Sequence, residues 1–151
     1  MITLRPVEEA DIEVFYEHQA DSTASATAAF PSRDRATHLA HWTNNVVGNP
    51  NGVVRTVLVD GAVAGNVLSW IDAELGRLLG YWIGREFWGR GIATEAVRLY
   101  LDEVTERPIR AFVALHNVGS QRVLEKNGFT RASAEPEIAA DGVAELLFVL
   151  N

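Results

Sequence analysis

The sequence predicts a mixed α/β fold of the α+β type, with six or seven strands in one mostly antiparallel sheet and about four flanking helices. Three consecutive strand-like segments form a meander that includes the two-residue turn Asp60-Gly61. A glycine loop then leads from the third strand into an amphipathic helix. This helix and the next one each separate two strands, which predicts some parallel pairing in the second half of the sheet.

The first half of the chain alternates between strand-like and helix-like patterns. Segments with alternating or continuously apolar residues are predicted strands, at 2–5, 53–59, 62–70 and 78–83. Segments with apolar residues at helical spacing are predicted helices, at 8–19 and 33–47. The small and polar segment 21–31, between these helices, is expected to form a loop.

The second half of the chain contains two predicted helices and three predicted strands. The first helix covers residues 91–105, with apolar and charged residues interleaved at spacings of three and four. The second begins at Asn117, a good N-cap, and ends at Gly128, which suits a left-handed C-cap. The remaining apolar segments are predicted strands, at 109–115, 129–134 and 144–150.

The composition indicates a single globular domain over residues 1–151. Hydrophobic residues make up 48% of the chain and charged residues 22%, which argues against disorder. The net charge of −7 and the pI near 5.0 argue against binding to nucleic acid, which needs a basic surface.

Several residue patterns are missing from the sequence. Cysteine is absent, so neither a disulfide nor a thiolate nucleophile is available, and the four histidines show no metal-ligand spacing. No signal peptide or membrane-spanning segment is recognised. We therefore expect a cytoplasmic protein without a metal or a membrane partner, as a monomer or a homodimer.

The glycine loop is a candidate site for a phosphate or pyrophosphate. Gly89 and Gly91 allow backbone N–H groups to turn outward at the start of a helix, and Arg90 adds a positive charge. The sequence matches neither the P-loop nor the Gly-x-Gly-x-x-Gly pattern, since Thr94 stands where the latter needs its third glycine. A tight strand-to-helix turn without a ligand is the alternative interpretation of the same residues.

Two motifs resemble those of the GNAT N-acetyltransferase family, and the similarity extends over essentially the whole chain. The family's pyrophosphate loop, Gln/Arg-x-x-Gly-x-Gly/Ala, corresponds to residues 88–93 (WGRGIA), with Trp88 in place of Gln or Arg. The second motif covers residues 117–129 (NVGSQRVLEKNGF). Together with residues 80–83 (GYWI), it is similar to the branch that acetylates the N-termini of ribosomal proteins, the Rim-type branch.

This resemblance implies acetyl-CoA as cofactor, held between two central strands that splay apart. The strand that ends at Ile83 and the strand that follows the central helix would flank the pantetheine. The residues that would bind the cofactor, by main chain or side chain, are Tyr81, Trp82, Ile83, Trp88, Gly89, Arg90, Gly91, Ile92, Ala93, Thr94, Asn117, Ser120 and Lys126. For Asn117 a plain helix cap, and for the cations a solvated surface position, are the alternatives.

The resemblance implies direct attack of an amine on the thioester, with Ser120, Asn117 and Glu74 as candidate catalytic residues. Many relatives use a tyrosine near the sulfur as the acid, but the helix that carries Ser120 has no tyrosine, so Ser120 is expected to donate the hydrogen bond. Leu78 and Leu79 stand where this branch often has a carboxylate. Glu74, just upstream, could act as a base through water, although a solvated carboxylate is the commoner role for a loop residue; His116 is a weaker candidate.

The predicted function is transfer of an acetyl group from acetyl-CoA to a primary amine of unknown identity, such as a protein N-terminus or a small molecule. The acceptor pocket is expected from the first two helices, with Phe30, His38, His41 and Trp42 as candidates. An acyl-CoA-binding module without turnover is an alternative, since the usual carboxylate and tyrosine are missing. An unrelated anion-binding domain is a second alternative.

Overall fold

The computed structural model describes residues 1–132, 135–139 and 141–151 of the chain. The described residues form five α-helices, namely α1 (Glu9–Ala20), α2 (Ser22–Ala28), α3 (Arg35–His41), α4 (Ile92–Glu103) and α5 (Val118–Lys126). Their eight strands are β1 (Ile2–Arg5), β2 (Val53–Val59), β3 (Ala62–Asp72), β4 (Gly76–Ile83), β5 (Ile109–Ala114), β6 (Thr130–Arg131), β7 (Glu137–Ile138) and β8 (Ala144–Leu150). A π-helical segment, Trp42–Val47, continues α3, and a 3₁₀ turn, Arg85–Phe87, follows β4.

The strands form one mixed sheet in the order β1-β2-β3-β4-β5-β8-β6, with β7 also paired to β8. β4 and β5 run parallel, and the other neighbours in this order are antiparallel. The predicted meander, the mixed fold class and the mostly antiparallel sheet are therefore confirmed. The parallel pair joins two halves of the sheet, because β3 pairs with β4 from Asp72↔Gly76 to Gly65↔Ile83 and β8 pairs with all six residues of β5.

The parallel pairing between β4 and β5 is very short. It covers only Arg77↔Ile109 and Leu78↔Arg110, after which both strands continue without hydrogen bonding to each other. A gap therefore opens in the middle of the sheet between residues 79–83 of β4 and residues 111–114 of β5. These are the splayed central strands that the family resemblance implied.

The main hydrophobic core lies between the sheet and α4. Val97 and Tyr100 of α4 are fully buried there, together with Val67 of β3. The Tyr100 hydroxyl donates a hydrogen bond to the Val53 carbonyl at 2.7 Å and lies at the same distance from Ser69 Oγ. The buried apolar face and its hydrogen-bonded hydroxyl explain why the amphipathic segment after the glycine loop forms a helix on this face of the sheet.

A buried carboxylate fixes α1 against the opposite face of the sheet from α4. Asp11, 3% exposed, accepts two hydrogen bonds from the Arg5 guanidinium at 2.6 and 3.0 Å. It also accepts from the Glu8 N–H and the Thr56 hydroxyl, at 2.8 and 2.7 Å. Burial would raise the pKa of Asp11, but these hydrogen bonds outweigh burial and lower the pKa below its ordinary value.

The segment expected to be a loop between the first two helices is in part helical. The prediction of a loop over 21–31 was wrong because Asp21 caps α2, accepting hydrogen bonds from the N–H groups of Thr23 and Ala24. Ala24 is buried, and the alanine-rich composition favours a helix once this cap is in place. The predicted strand 129–134 is observed at Thr130–Arg131, and its last two positions lie outside the described residues.

Replacing Asp11 by alanine is expected to lower the free energy of unfolding by about 2–4 kcal/mol, because Arg5 and Thr56 lose their buried partner. The loss is measured by urea unfolding at pH 7. It should shrink as the pH falls below the ordinary carboxyl pKa of 3.8, since a carboxylate with a lowered folded pKa stabilises the fold only while it is ionised.

A matched control is Glu103→Ala, which removes a carboxylate from the exposed pair with Arg55. An exposed pair contributes less than about 1 kcal/mol, so this variant should unfold nearly like the parent. Equal losses for the two variants would show that the Asp11 network has no special weight.

Candidate functional site

A cavity of about 570 Å³ passes through the gap between β4 and β5. Its central part is lined by Tyr81 and Trp82 of β4 and by residues 111–114 of β5. Beyond the sheet it extends among α1, the segment after α2, and α3, where the predicted acceptor residues Phe30, His38, His41 and Trp42 all line it. Of the predicted cofactor residues, Tyr81, Trp82, Asn117 and Ser120 line this same cavity, whereas Ile83, the loop residues 88–94 and Lys126 are not part of its lining.

The unpaired edge of β4 directs its main chain into this gap at alternate residues. Gly84 donates its N–H to the Ala64 carbonyl of β3, at 2.8 Å. Because partners alternate in an antiparallel pair, Trp82 directs its N–H and carbonyl toward β3, whereas Tyr81 and Ile83 direct theirs toward β5. Of the three residues that the sequence predicted as main-chain partners of a cofactor, Tyr81 and Ile83 direct main-chain groups into the gap, whereas Trp82 does not.

Trp88 ties the glycine loop to the end of β4. Its indole N–H donates to the Ile83 carbonyl at 2.8 Å, and its backbone N–H donates to Arg85 at 3.1 Å. The backbone N–H of Trp88 is therefore not free for a phosphate, contrary to the expectation from sequence. The tryptophan at the family's Gln/Arg position instead fixes where the loop begins.

The loop itself presents a row of unpartnered N–H groups. Gly89 and Gly91 have φ of +74° and +73°, and a Cβ added at either position would meet nothing within 4 Å. No side chain caps α4, and within the described part of the chain the N–H groups of residues 89–94 have no hydrogen-bond partner. Six consecutive free donors, at the positive end of a helix and facing open space, form a candidate anion site.

Two cations lie beside this candidate anion site. The Arg90 guanidinium stacks over the Phe87 ring at 5.7 Å, and Lys126 is the exposed last residue of α5. The next residue, Asn127, donates a hydrogen bond to the Thr94 carbonyl at 3.2 Å, which brings the end of α5 to the start of α4. Both predicted cations are thus near the free N–H groups.

The most distinctive polar contact of the cavity joins Tyr81 to Ser120. Their hydroxyl oxygens are 2.6 Å apart, and the Tyr81 hydroxyl also donates to the Ser120 carbonyl at 3.1 Å. Burial raises the pKa of Tyr81 to about 12, an effect that the hydrogen bond with Ser120 partly offsets. The phenol therefore keeps its proton at neutral pH and can donate it. The family resemblance placed such a tyrosine on α5, which has none. In the structure, the tyrosine that contacts Ser120 comes from β4.

Asn117 both caps α5 and lines the cavity. Its Oδ1 accepts a hydrogen bond from the Ser120 N–H at 3.2 Å, which confirms the predicted N-cap. This contact holds Ser120 in the first turn of α5, next to Tyr81. The Asn117 side-chain amide is left to face the cavity as a donor.

The structure does not bring Glu74 to this cavity. Glu74 is an exposed residue of the turn between β3 and β4, whereas Trp82 stands near the other end of β4. Six residues of extended strand separate Gly76 from Trp82, about 20 Å. Asp72, also upstream, accepts hydrogen bonds from the N–H groups of Glu74 and Leu75 within that turn.

The weaker candidate base, His116, hydrogen bonds to the Ala26 carbonyl at 3.1 Å and does not line the cavity.

The described residues contain no group of three or more His, Cys, Asp or Glu side chains placed to hold a metal ion. None of the helices they form is long and apolar enough to cross a membrane.

Sequence reasoning missed two residues of the site. The Tyr81 hydroxyl could have been found from strand parity, because Leu79 and Ile83, two residues away on either side, belong to the core on the same face. Arg33, which lines the cavity beside Phe30, follows from no local pattern because its position depends on how the segment after α2 folds.

Three comparisons agree with this geometry. Residues 1–130 match the family described as acetyltransferase (GNAT) domain, so the chain belongs to the GNAT family. The probable N-acetyltransferase YjcK of Bacillus subtilis (strain 168) is 41% identical over 81 residues, which cover 48% of this chain and 45% of that protein. The chain thus spans less than half the length of this curated relative.

Solved structures share the fold over almost the whole chain. The aminoglycoside acetyltransferase AAC(6')-Ib in complex with coenzyme A has a TM-score of 0.81 at 18% identity, covering 100% of this chain and 95% of that one. The spermidine N-acetyltransferase from Vibrio cholerae, in complex with CoA and spermine, has a TM-score of 0.82 at 16% identity, covering 99% and 94%. At these identities the likeness shows the fold.

Gly91→Val is expected to weaken binding of acetyl-CoA about tenfold or more, because the branched side chain fills the space in front of the free N–H groups. The affinity is measured by titration calorimetry. The control is Gly76→Val, since Gly76 has a similar φ of +75°, also has nothing near its Cβ position, and lies in the turn at the other end of β4. Both variants carry the same backbone strain, so an equal acetyl-CoA affinity for the two would remove the loop from the binding site.

Proposed function

We propose that this chain is an acetyl-CoA-dependent N-acetyltransferase that transfers an acetyl group to a primary amine. The observation that carries the proposal is the cavity through the splayed strands, with the Tyr81–Ser120 hydroxyl pair at its centre and the row of free N–H groups at the following loop. Membership of the GNAT family supports it. The similar solved structures contain CoA, together with spermine in one of them.

The residues present fit acetyl-CoA. The free N–H groups of residues 89–94 would hold the pyrophosphate, with Arg90 and Lys126 beside it. The main-chain groups of Tyr81, which face the gap, would pair with the pantetheine arm, and the Asn117 side chain would add a donor. Acetyl-CoA, when bound, supplies the activated thioester that the amine attacks.

The chain's own groups would perform two jobs in the transfer. The Ile83 N–H faces the gap and is the candidate donor to an oxyanion, in preference to that of Trp82, which faces β3. The Tyr81 hydroxyl would hold a proton for the departing sulfur, while Ser120, positioned by Asn117, would orient that hydroxyl.

The amine must reach the site in its neutral form, and Glu74 lies too far away to deprotonate it. An α-amine with a pKa near 8 is roughly one-tenth neutral at pH 7, whereas a lysine amine with a pKa near 10.4 is neutral about once in 2,500. The site therefore suits an α-amine. The Rim-type motif over residues 117–129 supports the same class of acceptor, of which a protein N-terminus is one example.

An acyl-CoA-binding module without turnover is the second candidate function. It is favoured by one observation, the absence of Asp and Glu from the described residues that line the cavity. A cytoplasmic location, a single domain over residues 1–151 and a monomeric or homodimeric state stay predictions.

Acetyl-CoA at about 100 times its Kd is expected to add about 2.7 kcal/mol to the stability of the folded chain. The melting midpoint, followed by differential scanning fluorimetry, should then rise by roughly 5–10 °C. Release of free CoA in the presence of an amine, followed with a thiol reagent, tests the transfer itself. A midpoint that does not move at millimolar acetyl-CoA would contradict the proposal, and a shift without CoA release from any amine would favour the binding module.

Ser120→Ala and Tyr81→Phe are each expected to lower kcat about 10- to 100-fold while leaving the KM for acetyl-CoA nearly unchanged. The double variant should lose little more than either single one, because each change already breaks the pair. Tyr16→Phe is the control, since its ring packs on His38 outside the cavity lining. A Tyr81→Phe rate equal to that of the control would exclude Tyr81 as the acid.

The pH profile tests the same assignment. With a pKa of about 12, Tyr81 stays protonated throughout the accessible range. With an α-amine of pKa near 8, the parent rate should therefore rise up to about pH 9, as the amine loses its proton, and then stay level to about pH 10. A decline in that range would indicate an acid with a lower pKa than Tyr81.

A further inference from the structure

The part of the cavity beyond the sheet is walled by aromatic rings. Phe15, Phe30, Trp42, Trp70 and Trp82 all line it. Phe30 and Trp82 meet edge to face with ring centroids 5.6 Å apart, and Phe15 and Trp42 pack at 4.8 Å. Such a wall offers flat apolar surface, so it suits an acceptor with an aromatic or bulky apolar body.

The charged groups of this cavity are of one sign. Arg33 lines it, whereas no Asp or Glu does so among the described residues, although the chain as a whole carries a net charge of −7. Burial, followed by the nearby Arg33, lowers the pKa of His41, and burial is also the main cause of the lowered pKa of His38. Both imidazoles are therefore neutral at pH 7, and Arg33 is the charge that a ligand meets.

Arg33 is held in place by its backbone and by its side chain. Gln19, 5% exposed, accepts a hydrogen bond from the Arg33 N–H at 2.7 Å and donates one to the Arg33 carbonyl at 3.1 Å. The guanidinium lies over the Phe30 ring, 4.8 Å from its centroid. No ion pair of the described residues involves Arg33, so its hydrogen-bond donors are available to a ligand.

The distance between the Arg33 guanidinium and the Trp82 ring is one that a small amino acid derivative can span. Because Phe30 contacts both Arg33 and Trp82, the guanidinium carbon lies within about 10 Å of the Trp82 ring. A ligand that spans this stretch meets the Arg33 guanidinium, which recognises oxygen acceptors, at one end and the Trp82 ring at the other.

These charges separate two classes of amine. A polyamine or an aminoglycoside would bring further ammonium groups into an apolar cavity that holds a cation and no carboxylate, which is strongly unfavourable. A carboxylate next to Arg33 would instead form a charge-assisted, bidentate hydrogen bond. The same surroundings lower the pKa of a bound amine, since both burial and a nearby cation disfavour its charged form.

We propose that the acceptor is an amino-acid-like monoamine, with an aromatic or bulky apolar body in the cavity beyond the sheet and a carboxylate paired with Arg33. This rests on the proposed transfer activity and adds the chemical class of the amine. The free amine would then point toward the gap between β4 and β5, where the Tyr81–Ser120 pair lies.

Binding to the CoA-saturated protein tests this class independently of turnover. Titration calorimetry is carried out with L-phenylalanine, with L-phenylalaninamide, which replaces the carboxylate by a neutral amide of the same shape, and with spermidine. L-Phenylalanine should bind at least about tenfold more tightly than the amide, because the pair with Arg33 is lost, and spermidine should bind more weakly than both. Equal affinities for acid and amide, tighter binding of spermidine, or no binding of either aromatic ligand would each overturn the proposal.

The matched variants are Arg33→Gln and Arg35→Gln. Arg35 is two residues away and pairs with Glu13 outside the cavity lining, so its replacement should leave the preference for the acid unchanged. Arg33→Gln should abolish that preference while the acetyl-CoA melting shift, which does not depend on the acceptor, shows that the variant is folded. An unchanged preference in folded Arg33→Gln protein would contradict the assignment.

Turnover distinguishes this proposal from the activity on which it rests. CoA release is measured for the parent protein with the same three amines. Binding of L-phenylalanine without CoA release from any amine would refute the transfer and leave the ligand class standing. Faster release with spermidine than with L-phenylalanine would establish the transfer and overturn the ligand class.

Discussion

Parallel strands β4 and β5 stay hydrogen bonded for two residue pairs and then separate, and the candidate site depends on that separation. Each strand is paired on its outer side, β4 by eight residue pairs with β3 and β5 by six with β8, so the gap lies between two half-sheets. Main-chain groups that face such a gap need partners. The Trp88 indole satisfies the Ile83 carbonyl, and the groups left over are available to an extended ligand that replaces the missing strand.

The same geometry brings together residues that are distant in sequence. Tyr81 extends from the unpaired part of β4 to the first turn of α5, where Asn117 fixes the Ser120 backbone. A hydroxyl pair at this junction is possible because α5 begins directly where β5 ends, on the far side of the gap from β4. Side chains alternate between the two faces of the sheet along β4. Tyr81 therefore places its hydroxyl on one face, and its neighbour Trp82 lines the space for an acceptor on the other.

The sequence was informative where structure is local. The Asp60-Gly61 turn, the glycines of residues 89–91 and the Asn117 cap act within a few residues, and the structure has each of them where the pattern placed it. It was less informative where a role depends on distant packing. Glu74 is close to Tyr81 in sequence, yet the length of β4 separates them. Arg33 belongs to no motif and reaches the cavity only because the buried Gln19 of α1 holds its backbone.

The distribution of charge over the molecule explains how a site without a carboxylate base can still favour a neutral amine. Glutamates of this acidic chain pair with arginines on the surface, as Glu103 does with Arg55 and Glu95 with Arg98, while the described lining of the cavity excludes acidic side chains. The net charge of −7 therefore says little about the local field, in which Arg33 and the apolar walls disfavour an ammonium ion. Such an environment performs by desolvation and repulsion part of the work that a general base performs by proton abstraction.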